Sequence, residues 1–176
     1  MHFFVLFFLI EIKENQLVTK SDKKSESHEG GCLCGKVRYK TIGQPKIVGA
    51  CHCRYCQLRS GSAFGVLVYF KEAFLSLEKG EVAKYRFRSE SNFQWENHFC
   101  RDCGTTVFFR LEVFKGLVGV AGGTFDPPAF WYDIGAEVFT RDKADFVGCI
   151  KAKAHFSTFH YYNPKNTESP RLKGEK

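Results

Sequence analysis

The sequence predicts an all-β domain, and three observations lead there. Aromatic residues make up 16% of the chain, with 19 phenylalanines, a composition that favours strands over helices. Apolar residues come in short alternating or continuous runs punctuated by glycine and proline. No stretch sustains a helical period. With 176 residues, 44% apolar and 26% charged, the chain has material for one core and too little length for two full-sized domains. That balance excludes collagen-like, mucin-like and wholly disordered classes.

Taken in order, residues 1–29 read as an N-terminal extension. Phe3 to Ile10 is an apolar run of eight residues ended by Glu11, whereas a membrane-spanning helix needs about 20. His2 before the run, and Glu11, Lys13 and Glu14 after it, do not match the flanks of a secretory signal. The expectation is a cytoplasmic chain with no transmembrane segment, whose thiols are kept reduced. Residues 11–29 are polar and read as a linker.

Residues 30–148 carry the strand signals. Val37 and Tyr39 alternate with Lys36, Arg38 and Lys40, as on a half-buried strand. Residues 47–50 form a short strand leading into a cysteine cluster, and residues 64–70 a continuous apolar run of the kind buried on both faces. Val82, Tyr85 and Phe87 mark a less regular strand. Phe93, Trp95 and Phe99 belong to one ending at Cys100. Residues 105–113, 117–121 and 134–140 follow, with Pro127-Pro128 forcing a loop. Residues 71–74 and 142–146 have enough helical character for one turn each. Residues 149–176 read as a basic C-terminal tail: their six basic and two acidic side chains supply +4 of the formal +7.

The cysteine spacing carries the chemistry. Cys32 and Cys34 form a C-x-C pair followed by Gly35. Cys51, Cys53 and Cys56 form C-x-C-x-x-C. Cys100 and Cys103 form C-x-x-C followed by Gly104. Thiolates this close on tight turns reach one metal ion, and a glycine after the second lets the backbone fold back so that amides point at sulfur. Zinc suits such a set because it accepts thiolates tetrahedrally and has no redox chemistry of its own. Disulfides are the rival, but neighbours in C-x-C rarely pair, and seven clustered cysteines leave one over. Seven divide naturally into a closed four-ligand site and a three-ligand site with an open position. Spacing alone permits Cys32/Cys34 to combine with Cys100/Cys103 or with Cys51/Cys53.

These motifs, Gly31-Cys32-Leu33-Cys34-Gly35, Cys51-His52-Cys53-Arg54-Tyr55-Cys56-Gln57 with residues 60–64, and Phe99-Cys100-Arg101-Asp102-Cys103-Gly104-Thr105, resemble the glutathione-dependent formaldehyde-activating enzyme family. That family includes centromere-protein-V-like proteins, and the resemblance covers residues 30–147. It implies a compact zinc-containing fold of the Mss4-like β-tent type. It implies two Zn²⁺ per chain: a structural ion held by Cys32, Cys34, Cys100 and Cys103, and a catalytic-type ion held by Cys51, Cys53 and Cys56. It implies a carbon–sulfur lyase, S-(hydroxymethyl)glutathione synthase-like, acting on formaldehyde and a small thiol such as glutathione. An alternative within the resemblance is a non-catalytic zinc module, with the basic tail contacting nucleic acid or cytoskeleton.

Other polar residues carry weaker expectations. His52, between two cysteines, reads as a turn residue or a donor behind the ligands rather than a proton shuttle. Gln57 and Ser60 to Ser62 line a pocket or make a turn; Arg54 attracts a carboxylate or sits in solvent. Asp126 reads as a turn residue, Cys149 as an isolated thiol, and Trp95 and Phe64 as core. Lys84, Arg86 and Arg88 read as the solvated face of a strand. Ser/His/Asp order, Walker loop and dinucleotide fingerprint are all missing from the sequence.

Overall fold

The computed structural model describes residues 26–165. The apolar run at 3–10, the linker up to residue 25 and the last residues of the tail from 166 lie outside them.

The chain is built from strands, as its composition predicts. β1 (Ser27–Gly31) and β2 (Arg38–Ile42) form a hairpin around the first cysteine pair. β3 (Ile47–Cys51) runs into the second cysteine group, which continues into α1 (Arg54–Ser60). β4 (Gly65–Lys71), β5 (Leu75–Lys79), β6 (Val82–Arg88), β7 (Gln94–Cys100), β8 (Thr106–Leu111), β9 (Leu117–Ala121), β10 (Ile134–Val138) and β11 (Ala152–Phe156) follow. Single 3-10 turns occupy Glu72–Phe74, Gly122–Thr124 and Thr140–Asp142.

β1, β2 and β5 make a small antiparallel sheet. The other eight strands make the main sheet in the order β11-β10-β3-β4-β9-β8-β7-β6. Neighbours in it are antiparallel except at β10, which runs parallel to both β3 and β11.

The centre of the main sheet is buried on both faces. Along β4, Val68 and Phe70 join one apolar cluster with Val37 and Tyr39 of the small sheet, Phe108, Val118, Val120 and Phe125. Leu67 and Tyr69, pointing the other way, join a second with Trp95, Phe109, Leu111, Phe139 and the cysteines at 51, 53 and 56. Period-2 alternation across a two-sided core explains why residues 64–70 read as a continuous apolar run. Burying a Phe or Tyr on either face contributes about 2–3 kcal/mol.

Four elements depart from the sequence expectation. β1 lies partly in the supposed linker; it is short and polar, and its order comes from backbone pairing with β2. β5 (LSLEK) is exposed along most of its length and is held by β2. Residues 54–60 form a helix rather than a turn, closed at Gly61 in the left-handed conformation (φ 63°). Beyond residue 149, expected to be a free tail, Ala152–Phe156 is an edge strand paired with β10. No helix among the described residues is long and apolar enough to cross a membrane.

Candidate metal centres

The fold sorts seven of the eight cysteines into two separate groups, and no disulfide links any of them. Cys32, Cys34, Cys100 and Cys103 form one set, Cys51, Cys53 and Cys56 the other, with the sulfurs of each set within 4.8 Å of one another. The pairing left open by spacing is therefore 32/34 with 100/103.

The four-cysteine group joins two distant turns. Cys32 and Cys34 sit in the β1–β2 turn, Cys100 at the end of β7 and Cys103 in the β7–β8 turn. Gly35 (φ 72°) and Gly104 (φ 71°) adopt the left-handed conformation that lets each turn reverse. Their amides bond to the carbonyls of Cys32 and Cys100, each at 3.0 Å. The amide aimed at sulfur comes from further on: Val37 N–H donates to Cys32 Sγ at 3.2 Å. The Thr105 hydroxyl lies 3.2 Å from Cys103 Sγ. Led by that hydroxyl, and aided by the amides of Thr105 and Cys34, the Cys103 thiol is drawn down to about 5.

Sulfur separations fit a tetrahedral ion. Cys32 Sγ to Cys34 Sγ is 3.4 Å and Cys34 Sγ to Cys100 Sγ is 3.7 Å. Four thiolates on one zinc, with Zn–S near 2.3 Å, lie about 3.8 Å apart. The donor set and its spacing both suit that metal.

The three-cysteine group is local and buried. Cys51 ends β3, Cys53 precedes the first turn of α1, and Cys56 lies within it. Their exposures are 4%, 8% and 1%. Among the described residues, no fourth Cys, His, Asp or Glu joins them. Hydrogen bonding from the Cys51 and Cys53 thiols, and then the neighbouring Arg59 cation, hold the Cys56 thiol well below its ordinary range against the effect of burial. Hydrogen bonding to Cys53 and Cys56, together with burial, pushes the Cys51 thiol well up.

A charged network stands behind this group. His52 is fully buried, and its Nε2 lies 2.9 Å from Oε1 of Glu137 on β10. Glu137 also receives Lys143 Nζ at 2.9 Å and His155 Nδ1 at 2.6 Å. Burial alone would raise the Glu137 carboxyl, but Lys143, His155 and His52 together bring it down to about 2. An ionised carboxylate only accepts, so His52 donates through Nε2. Glu137 thereby ties the cysteine turn to β10 and β11.

Other polar residues around the turn are hydrogen-bonded within it. Gln57 donates to the His52 carbonyl at 2.9 Å, and the Ser60 hydroxyl donates to the Cys56 carbonyl at 2.8 Å. Arg54 lies 3.2 Å from Gln57 Oε1. Phe159 and Tyr162, from beyond β11, pack against the apolar cluster that contains the three cysteines. Arg141 Nη2 donates to the Tyr162 hydroxyl at 2.8 Å.

Elsewhere, Asp126 forms a two-pronged ion pair with Arg38, which holds its carboxyl below the ordinary range. His98 bonds to Glu96 and Arg110 rather than to the cysteines. Cys149 is exposed. Sequence reasoning did not single out Glu137 or Arg59. Glu137 was discoverable only as an acid inside an otherwise apolar strand.

Residues 27–142 match the family described as glutathione-dependent formaldehyde-activating enzyme. An uncharacterised lyase of Schizosaccharomyces pombe is 34% identical over 129 residues, covering 67% of this chain and 82% of its own. A Rhodobacter sphaeroides protein of known crystal structure aligns at 18% identity with a TM-score of 0.44, over 59% of this chain and 95% of that one.

Proposed function

The chain belongs to the glutathione-dependent formaldehyde-activating enzyme family, and from that membership we propose that it is a zinc-dependent carbon–sulfur lyase working on a small thiol and an aldehyde. In the direction of synthesis, the sulfur of a thiol such as glutathione bonds to the carbon of formaldehyde. The thiol proton ends on the former carbonyl oxygen, giving S-(hydroxymethyl)glutathione. The reverse step breaks the same carbon–sulfur bond, and no electrons are gained or lost overall.

One observation carries this reading: the thiols of Cys51, Cys53 and Cys56 converge as a set of three, while the other group has four. In this reading Cys32, Cys34, Cys100 and Cys103 hold a structural zinc, giving two ions per chain. Cys51, Cys53 and Cys56 hold the second, which, when bound, supplies a coordination position for an incoming thiol and favours its thiolate form. Glu137, through His52, fixes the turn on which Cys51 and Cys53 stand. Burial of the three cysteines keeps water from the reacting sulfur, and holding both reactants at one point supplies most of the acceleration.

The interaction-module reading rests on the basic tail from Lys151 to Lys176. Lys151 and Lys153 flank or enter a strand of the main sheet and stay exposed; the enzyme reading is the one we carry because the convergence of three thiols favours it. Exchange NMR between free and thiol-bound formaldehyde tests it. Zinc-loaded protein should accelerate the exchange with glutathione, and Cys53→Ala should not. Equal exchange with and without the wild-type protein would remove this substrate assignment.

A further inference from the structure

Three residues beyond Cys56, in the last turn of α1, Arg59 lies on the same side of the helix as that cysteine. Its guanidinium carbon sits 4.5 Å above the centre of the fully buried Phe109 ring. Its Nε and Nη2 are shut off from solvent, and neither has a hydrogen-bond partner among the described residues. On the other side lies Gly65, which faces Cys51 across the β3–β4 pairing. A Cβ at Gly65 would come within 2.7 Å of Arg59 Nη2 and 3.2 Å of Cys56 Cβ. The guanidinium therefore fills a space that exists because residue 65 has no side chain.

Arg59 is half-buried, and holding two of its nitrogens away from water without a partner is costly. The cysteine group is an adjacent source of compensating charge, since one Cβ at Gly65 would touch both Arg59 Nη2 and Cys56 Cβ. Three thiolates around one Zn²⁺ carry a net charge of about −1, which a single guanidinium balances.

We infer that Arg59 is the built-in counter-cation of the three-cysteine metal centre, a positioning residue that sets how tightly the centre holds its ion. The inference rests on the reading that Cys51, Cys53 and Cys56 bind zinc. Stacking on Phe109 fixes the cation in place, and Gly65 leaves it room. Arg59 acts on the metal through the ligand sulfurs, with no bond to the metal itself.

Metal affinity tests this without any assay of turnover. Zinc affinities of the two centres are measured by competition with a chromophoric chelator, and cobalt is used to follow the thiolate-to-metal absorption of each. Arg59→Met keeps an apolar stem against Phe109 and removes the charge. It should weaken the second, three-cysteine centre by about 10- to 100-fold while leaving the four-cysteine centre as it was. Arg59→Lys should recover most of that loss. Arg59→Gln, which keeps a polar side chain of similar reach without the charge, should weaken the same centre alone, and it serves as the second variant if Arg59→Met fails to fold. Unchanged affinity in Arg59→Met would overturn the inference, as would equal losses in Met and Lys, which would make the role one of packing. Wild-type protein that binds a single zinc would instead remove the three-cysteine centre on which the inference stands.

Discussion

Nε2 of His52 donates to Oε1 of Glu137 across 2.9 Å, joining the residue between two cysteines of the three-thiol group to a strand 85 positions further along the chain. Glu137 is only 2% exposed and collects Lys143 and His155 on the same carboxylate. It is the point where the cysteine turn, β10, the segment after β10 and β11 meet.

That carboxylate should shape acid stability. Its folded pKa, about 2, lies below the ordinary 4.5. A depressed carboxyl contributes stability that is fully present above the unfolded value and lost as pH falls through the folded one. The contribution of Glu137 should therefore fade between pH 4.5 and 2. Melting curves of wild type and Glu137→Gln across that range should converge as pH drops, with wild type the more stable above it. Parallel curves would contradict this role. Glu137→Ala leaves His52 and Lys143 without their acceptor and should cost on the order of 3 kcal/mol at neutral pH.

Removing one ligand of the four-cysteine group should be felt by the whole fold. Cys100 is 1% exposed and helps clamp the β1–β2 turn to the β7–β8 turn. A structural zinc contributes on the order of 10 kcal/mol to a domain that depends on it. Cys100→Ala, or a strong chelator on wild type, should abolish or sharply lower the cooperative melting transition. Exposed Cys149→Ser should leave both melting and metal content unchanged.

Much of this was legible in the sequence because the signals were local. The run at 64–70 reads as a strand since both of its faces are buried, and the cysteine turns announce themselves through spacing and through Gly35 and Gly104. What escaped depends on distant partners. β1, β5 and β11 are too polar to advertise themselves, and their order comes from the strand each pairs with. The helix over 54–60 has too few turns to show a period. The choice between partners for Cys32 and Cys34 was open until the β7–β8 turn was brought alongside. The Glu137 network draws on His52, Lys143 and His155, which only the parallel pairing of β3, β10 and β11 assembles.

The segment beyond residue 148 should behave as part of the domain. β11 pairs with β10 over Ile134↔Ala152 to Val138↔Phe156, and Phe159 and Tyr162 pack against the cluster containing the three cysteines. Truncation after Gly148 should lower the melting temperature and make Cys51, Cys53 and Cys56 of metal-free protein react faster with a thiol reagent. Unchanged melting and thiol reactivity would show that the segment is dispensable.

On the proposed reading that Cys51, Cys53 and Cys56 hold a metal, the pH at which it is released should depend on Arg59. The cation favours thiolate over thiol in the group beside it. Acid titration of cobalt-loaded protein should show the three-cysteine absorption lost at higher pH in Arg59→Met than in wild type, with the four-cysteine absorption unmoved. Coincident loss curves would count against an electrostatic role.

The most direct measurement is metal content per chain, by elemental mass spectrometry, in wild type and in Cys53→Ala. Separate four- and three-cysteine centres require two zincs in wild type and one in the variant, with its melting transition retained. A variant that still holds two zincs, or a wild type that holds one, would contradict the assignment of Cys51, Cys53 and Cys56 as a second metal centre.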